Sequence, residues 1–186
     1  TAIGYQCSYF NSSGQYNTAI GCKCLMGQTD VYTGTNNNVA IGYQCGQFVG
    51  NEAINNVLIG YECAKAATGE GEFVGHSNTY IGYQCGLVNT SGSENVAIGT
   101  SCLDSNTTGD NNCAVGFSAL LEVTTGENNV AVGSYALDAV STGNRHTAVG
   151  AQCLTNATTG EHNCGLGYQA GLSITSGNSN IVIGIE

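Results

Sequence analysis

The groups in this chain able to do chemistry are ten cysteines, three histidines and thirteen acidic residues. Seven cysteines share one slot, the third residue after a recurring glycine: Cys7, Cys24, Cys45, Cys63, Cys85, Cys102 and Cys153. Cys22 follows such a glycine directly, and Cys113 and Cys164 stand three residues before one. An even count in a chain poor in lysine points to disulfides and an oxidising, extracellular setting. The expected bridges are Cys102–Cys113 and Cys153–Cys164, across single coils. Cys7, Cys22, Cys24, Cys45, Cys63 and Cys85 would pair between coils, where adjacent rungs bring Cα atoms within disulfide range, or between chains. The competing reading is a free thiol acting as a small hydrophobe, since Ala119, Ala136 and Ala170 fill the same slot elsewhere.

Other chemistry finds little support. A metal cluster needs Cys and His converging at short spacing, whereas His76, His146 and His162 share no repeat position. A nucleophile needs one distinctive Cys with a base, and these cysteines are interchangeable. No catalytic residue, metal site or cofactor is expected, and the chain is not expected to be an enzyme. Glu70, Glu72, Asp110, Glu127 and Glu161 follow turn glycines. They form either a column of oxygen ligands for Ca²⁺ or, the preferred reading, a solvated acidic edge that discourages lateral sheet pairing. Sequons at Asn11, Asn89, Asn106 and Asn156 are candidate glycosylation sites on surface turns. Tyr5, Tyr43, Tyr61, Tyr83 and Tyr168 form a candidate aromatic ladder for sugars, for neighbouring chains or for packing.

The composition narrows the partners. Only 9% of residues are charged and the net charge is −10, which disfavours nucleic acid and anionic membrane surfaces. No apolar run approaches a membrane span, and 41% regularly spaced apolar residues argue against disorder.

The elements that position these groups come from one repeat. An apolar–Ala–apolar–Gly tetrapeptide recurs with its glycine at 4, 21, 42, 60, 82, 99, 116, 133, 150, 167 and 184. The intervals are 17, 21, 18 and 22, then 17 six times. A 17-residue period is too short for a helical-hairpin repeat, and its β-branched alternation predicts strands. The fold expected is all-β: a β-solenoid, or β-roll, of about eleven coils, mostly 17-residue repeats. Residues 1–186 form a single repeat domain, irregular and loop-bearing over 1–82 and regular over 83–186. The extra residues, around 29–35, 49–55 and 69–76, are expected to bulge as loops. Each coil is read as a strand to the marker glycine, a bend, a second short strand and a Thr-Gly-x-Asn return turn whose glycine supplies positive φ.

Period-two geometry puts the positions three before, one before, one after and three after the glycine on one face. That face is assigned to the coil interior, with the aromatic position rotated outward at the bend. The alternate face, carrying the recurrent Ala2, Ala19, Ala40, Ala97, Ala114, Ala131 and Ala148, is then external. Small residues there imply either close approach of another chain or a crowded bend. Thr1, Ala2 and Ile3 at one end and Ile181, Val182 and Ile183 at the other are read as uncapped strand edges for head-to-tail assembly.

Segments such as Thr107-Thr108-Gly109-Asp110-Asn111-Asn112-Cys113-Ala114-Val115-Gly116 and Val39-Ala40-Ile41-Gly42-Tyr43-Gln44-Cys45 resemble the "TTGxNNTAVGYQAL" repeats of phage tail fibres. Those are similar to the head β-rolls of trimeric autotransporter adhesins. The resemblance spans nearly the whole chain and implies a β-roll, commonly trimeric, serving as a shaft or host-binding stalk. The chain departs from it in carrying Cys where those repeats carry Ala after Tyr-Gln. The expected function is therefore a self-assembling, disulfide-stabilised structural subunit of an extracellular filament or fibre shaft, at a cell or virion surface. The alternative is an adhesin or tail-fibre receptor-binding stalk that uses the irregular loops against a surface glycan or receptor. An ice-binding array would need matched outward threonines, and Thr1, Thr18, Val39, Val57, Thr79 and Val96 do not provide one.

Overall fold

A computed structural model describes residues 1–27, 34–50, 52–66 and 72–186. Each tetrapeptide forms one short strand, from β1 (Ala2–Ile3), β2 (Thr18–Cys22), β3 (Val39–Tyr43), β4 (Val57–Tyr61), β5 (Thr79–Tyr83), β6 (Val96–Thr100) and β7 (Cys113–Phe117) to β8 (Val130–Val132), β9 (Thr147–Val149), β10 (Cys164–Leu166) and β11 (Ile181–Ile183). The eleven strands make one parallel sheet in sequence order, so the chain is a β-solenoid. Register is kept across the irregular intervals: Ile20 faces Ile41, Ile41 faces Ile59, and Ile59 faces Ile81.

The marker glycines hold the coil together at its sharpest point. Their φ runs from +125° to +142°, and a Cβ on Gly99 would overlap the carbonyl oxygen of Gly116 in the next coil. No other residue fits such an approach. Beyond the bend, the described residues form no second strand, only the isolated parallel bridges Gly27–Val49 and Val49–Phe73. Residues two and four after the glycine are left-handed, as in Gln44 and Gly46. Their N–H groups therefore point to opposite neighbours: Gln44 donates to Cys22 O at 2.8 Å and Gly46 to Cys63 O at 2.9 Å. The return-turn glycines are not left-handed either. That conformation falls two residues later, on Asn111, Asn128 or Arg145, while Gly109 is required because a Cβ would overlap Gly126 O.

The faces of the strand are the reverse of the expected assignment. The alanine position is fully buried in Ala19, Ala40, Ala97, Ala114, Ala131 and Ala148, and the Ile/Val positions on either side of it point outward. The two walls of each coil lie so close that the strand can send only a small side chain inward. The opposite wall supplies the bulk, through Leu25, Leu103, Leu120, Leu137 and Leu154, all buried. Where the strand side chain is large, the opposite residue shrinks. Tyr80 stands against Gly86, where a Cβ would strike the ring, and Leu58 stands against Gly46, where a Cβ would come within 2.9 Å of its Cδ1. One core runs the length of the coil.

The inserted segments bulge less than expected. Val49, Ala53 and Phe73 are fully buried, and Gly50 donates to Phe73 O at 2.8 Å. The remaining expected loop residues, 29–33, 51 and 69–71, with Glu70 among them, lie outside the described residues.

Candidate functional site: outer sheet face and inner thiol column

Inverting the faces exposes an apolar surface. Three outward columns run along the sheet, three before, one before and one after each marker glycine. They hold Ile, Val, Leu, Tyr, Phe, Cys, Thr, Ser and Ala, and no Asp, Glu, Lys, Arg or His. Ile98, Val132, Val149 and Leu166 are 37–48% exposed, although each is large and apolar. Tyr43, Tyr61 and Tyr83 stack on consecutive rungs at 5.0 and 5.1 Å between ring centres, so the expected ladder exists for these three. Cys22 and Thr100 interrupt the tyrosines on either side of the stack. Beside the stack, Lys65 pairs with Glu62 at 2.6 Å and Gln84 donates to the same carboxylate at 3.0 Å. Burial opposes the charge of Glu62, but these two partners outweigh it and hold the carboxyl below its ordinary value.

Inside, six consecutive rungs each place one thiol in a single file: Cys7, Cys24, Cys45, Cys63, Cys85 and Cys102. Each Sγ donates to the marker-glycine carbonyl of the next coil: Cys7 to Gly21 (3.0 Å), Cys24 to Gly42 (3.0 Å), Cys45 to Gly60 (3.0 Å), Cys63 to Gly82 (3.3 Å), Cys85 to Gly99 (3.2 Å) and Cys102 to Gly116 (2.7 Å). All but Cys7 are fully buried. Hydrogen bonding to the neighbouring sulfur, then burial, pushes Cys24, Cys63 and Cys102 above the ordinary thiol range. Cys45 is flanked by Cys24 and Cys63, and Cys85 by Cys102 and Cys63. Hydrogen bonding from the neighbouring thiols holds each of them below the ordinary thiol range. Cys153 stands apart, with Ala136 and Ala170 in its slot on the adjacent rungs, and burial raises it.

All ten cysteines are free, and none of the expected bridges within the chain is seen. For Cys102–Cys113 and Cys153–Cys164 the reason is the strand itself. Cys113 and Cys164 open β7 and β10 beside the inward Ala114 and Gly165, so they point outward, while Cys102 and Cys153 lie inside. Cys22 also lies on the outer face, between Tyr5 and Tyr43 in its column. Cys7, Cys24, Cys45, Cys63 and Cys85 do share one column, as expected, but as thiols bonded to carbonyls.

The sequons divide. Asn89 and Asn106 are fully buried, each holding its own return turn by accepting from Gly92 N at 2.8 Å and Gly109 N at 3.0 Å. Asn11 does the same to Gly14 N at 3.1 Å. Only Asn156 is exposed, so three of the four expected surface sites are structural amides. Asp110, Glu127 and Glu161 do share a column, but Asn144 and Asn178 alternate with the glutamates. Asp110 and these asparagines cap backbone N–H groups of Ser93, Glu127 and Glu161 at 2.7–2.8 Å. Among the described residues no three His, Cys, Asp or Glu converge as a metal site. Thr1, Ala2, Ile3, Ile181 and Ile183 are exposed and Val182 is half-buried, on the two edge strands of the sheet.

One feature escapes the sequence reading altogether. Asn38, Asn56, Asn78, Asn95, Asn112 and Asn129 form an internal amide ladder, each Oδ1 accepting the backbone N–H one rung on and most Nδ2 groups donating to a turn-glycine carbonyl. His146 takes the ladder position on its rung, fully buried, with Nε2 unbonded. Asparagine four residues before the glycine is visible in the sequence, but it reads equally well as turn polarity.

Comparison with family models, with curated proteins and with solved structures returns no match.

Proposed function

We propose that the chain is a structural subunit of a fibre shaft at a cell or virion surface, in which copies associate side by side through the outer sheet face. The observation that supports this is the uncharged apolar surface formed by the three outward columns. Eleven rungs at roughly 4.8 Å by a strand of about five residues give a face of roughly 800 Å². That is about what one partner contributes to a standard specific interface, and contiguous apolar patches larger than a few hundred Å² mark interaction sites. A continuous, in-register rod suits a load-bearing element, as the resemblance to phage and adhesin β-rolls implies. Disulfide stabilisation is no part of this reading. The receptor-binding alternative rests on the inserted loops, whose described parts send Val49, Ala53 and Phe73 into the core.

The test is sedimentation or light scattering of the wild type against Ile59→Asp and Ile81→Asp. Both side chains point outward, so the roll itself should be retained by circular dichroism. The expected result is a wild-type oligomer and variants at the 19.0 kDa monomer mass. A monomeric wild type, or charged variants that assemble unchanged, would sink the proposal.

A further inference from the structure

We propose that the thiol file from Cys7 to Cys102 is an axial binding site for soft monovalent d¹⁰ cations, of the Cu(I) and Ag(I) class, each held linearly between sulfurs of successive rungs. Three observations carry this. The first is continuity: six thiols occupy six consecutive rungs with no gap, whereas the next two rungs carry Ala119 and Ala136. The second is spacing. Neighbouring strands of a sheet stand roughly 4.8 Å apart, and the tyrosine rings of the outer face follow that spacing at 5.0 and 5.1 Å. A linear sulfur–metal–sulfur unit needs two bonds of roughly 2.3 Å, or about 4.6 Å. The third is chemical selection. The column contains no carboxylate or imidazole, and its six thiolates prefer soft metals.

Charge decides how the file fills. One ion between two thiolates leaves a net negative charge in the core, which is costly. Each further ion shares a thiolate with its neighbour. Six thiols binding about five monovalent ions release six protons and leave a single net negative charge for the whole file. Each site therefore makes the next one easier, and uptake is cooperative along the axis. The ions displace the S–H protons that now bond the glycine carbonyls.

The test is native mass spectrometry of reduced, oxygen-free protein titrated with Ag(I), with proton release followed in parallel. The expected result is a jump from the metal-free chain to about five ions, with few chains in between and a β spectrum retained. Cys45→Ala with Cys85→Ala breaks the file and leaves Cys7 and Cys24 as its one adjacent pair. Uptake then falls to about one ion. Alanine occupies this slot naturally at Ala119, Ala136 and Ala170, so the variant folds. Cys22→Ser with Cys113→Ser and Cys164→Ser removes the outward thiols and leaves uptake unchanged. Uptake of one ion or none by the wild type, uptake unaffected by breaking the file, or loss of β structure on loading would each overturn the proposal.

Discussion

His146 is the one position where the internal ladder departs from asparagine and leaves a polar atom without a bond, so His146→Asn should stabilise the protein. The neighbours show what is missing. Asn129 Nδ2 donates to Gly143 O at 2.9 Å and Asn163 Nδ2 to Gly177 O at 2.6 Å. On the intervening rung the ring accepts from Asn163 N through Nδ1 at a long 3.3 Å, and Nε2 bonds nothing. Asparagine would restore one bond and shorten another, worth about 1–2 kcal/mol at neutral pH. In a chain this long that is roughly 2–8 °C in Tm. The gain should also depend on pH. Burial lowers the pKa of His146, and this outweighs the Gly160 carbonyl and Glu161, which favour the charged ring; His162 opposes it further. The unfolded chain therefore binds a proton, near pH 6.5, that the folded chain refuses. The wild type has its full stability above that pH and loses it as pH falls, by at most about 1.4 kcal/mol per pH unit. Burial raises Asp104 and Asp138 instead, which acts in the opposite sense and at lower pH, and both are common to the two proteins. Thermal melts from pH 7.5 to 5.5 should show the advantage of the variant widening as pH drops. Hydrogen exchange at Asn163 N–H should slow in the variant. A lower Tm for His146→Asn, or a gap that does not change with pH, would refute the reasoning.

Two further outcomes follow from the same packing. Tyr80→Ala and Gly86→Leu should each destabilise, by about 3–5 kcal/mol for the cavity and by about 1–3 kcal/mol or more for the overlap. Together they recreate the Ala97/Leu103 arrangement of the next coil, so denaturant titration of the double variant should find it more stable than either single one. In a glycosylating host, peptide mapping of folded protein should find glycan at Asn156 and none at Asn89 or Asn106, whose amides are buried and bonded; modification of either would contradict the turn role.

Much of the fold is legible because the marker glycine carries so much information. It fixes the coil length, and the glycine-to-glycine pairing keeps the register even where intervals lengthen to 21 or 22 residues. What period-two alternation cannot supply is the sign of the face. Reading hydrophobicity alone sends Ile and Val inward and Ala outward. The roll does the opposite, because its interior is narrower than two large side chains and the alanines are chosen for size. The clue was present in the compensating pairs: Tyr80 in an alanine slot with Gly86 in a leucine slot makes sense only if both point into the same space. The segment after the bend resembles a strand in sequence for a related reason. Alternate left-handed residues mimic strand alternation in sequence while turning every other N–H toward a different neighbour.

Inverting the face also reassigns the chemistry. With Ile and Val inside, the cysteines three before and three after a glycine would share an interior, and bridges across the coil would follow naturally. With Ala inside, the ten cysteines separate into two populations that cannot meet. Cys22, Cys113 and Cys164 belong to the outer apolar face of the sheet. Cys7 to Cys102 and Cys153 belong to the core, where a thiol is a small side chain able to donate to a carbonyl, in Cys7 to Cys102 the one that each marker glycine presents to its neighbour. Alanine in the same slot fills the space without making that bond, which explains how the two residue types alternate there. Six successive choices of Cys over Ala place six such donors in line along the axis, and that line can be tested without reference to how the copies assemble.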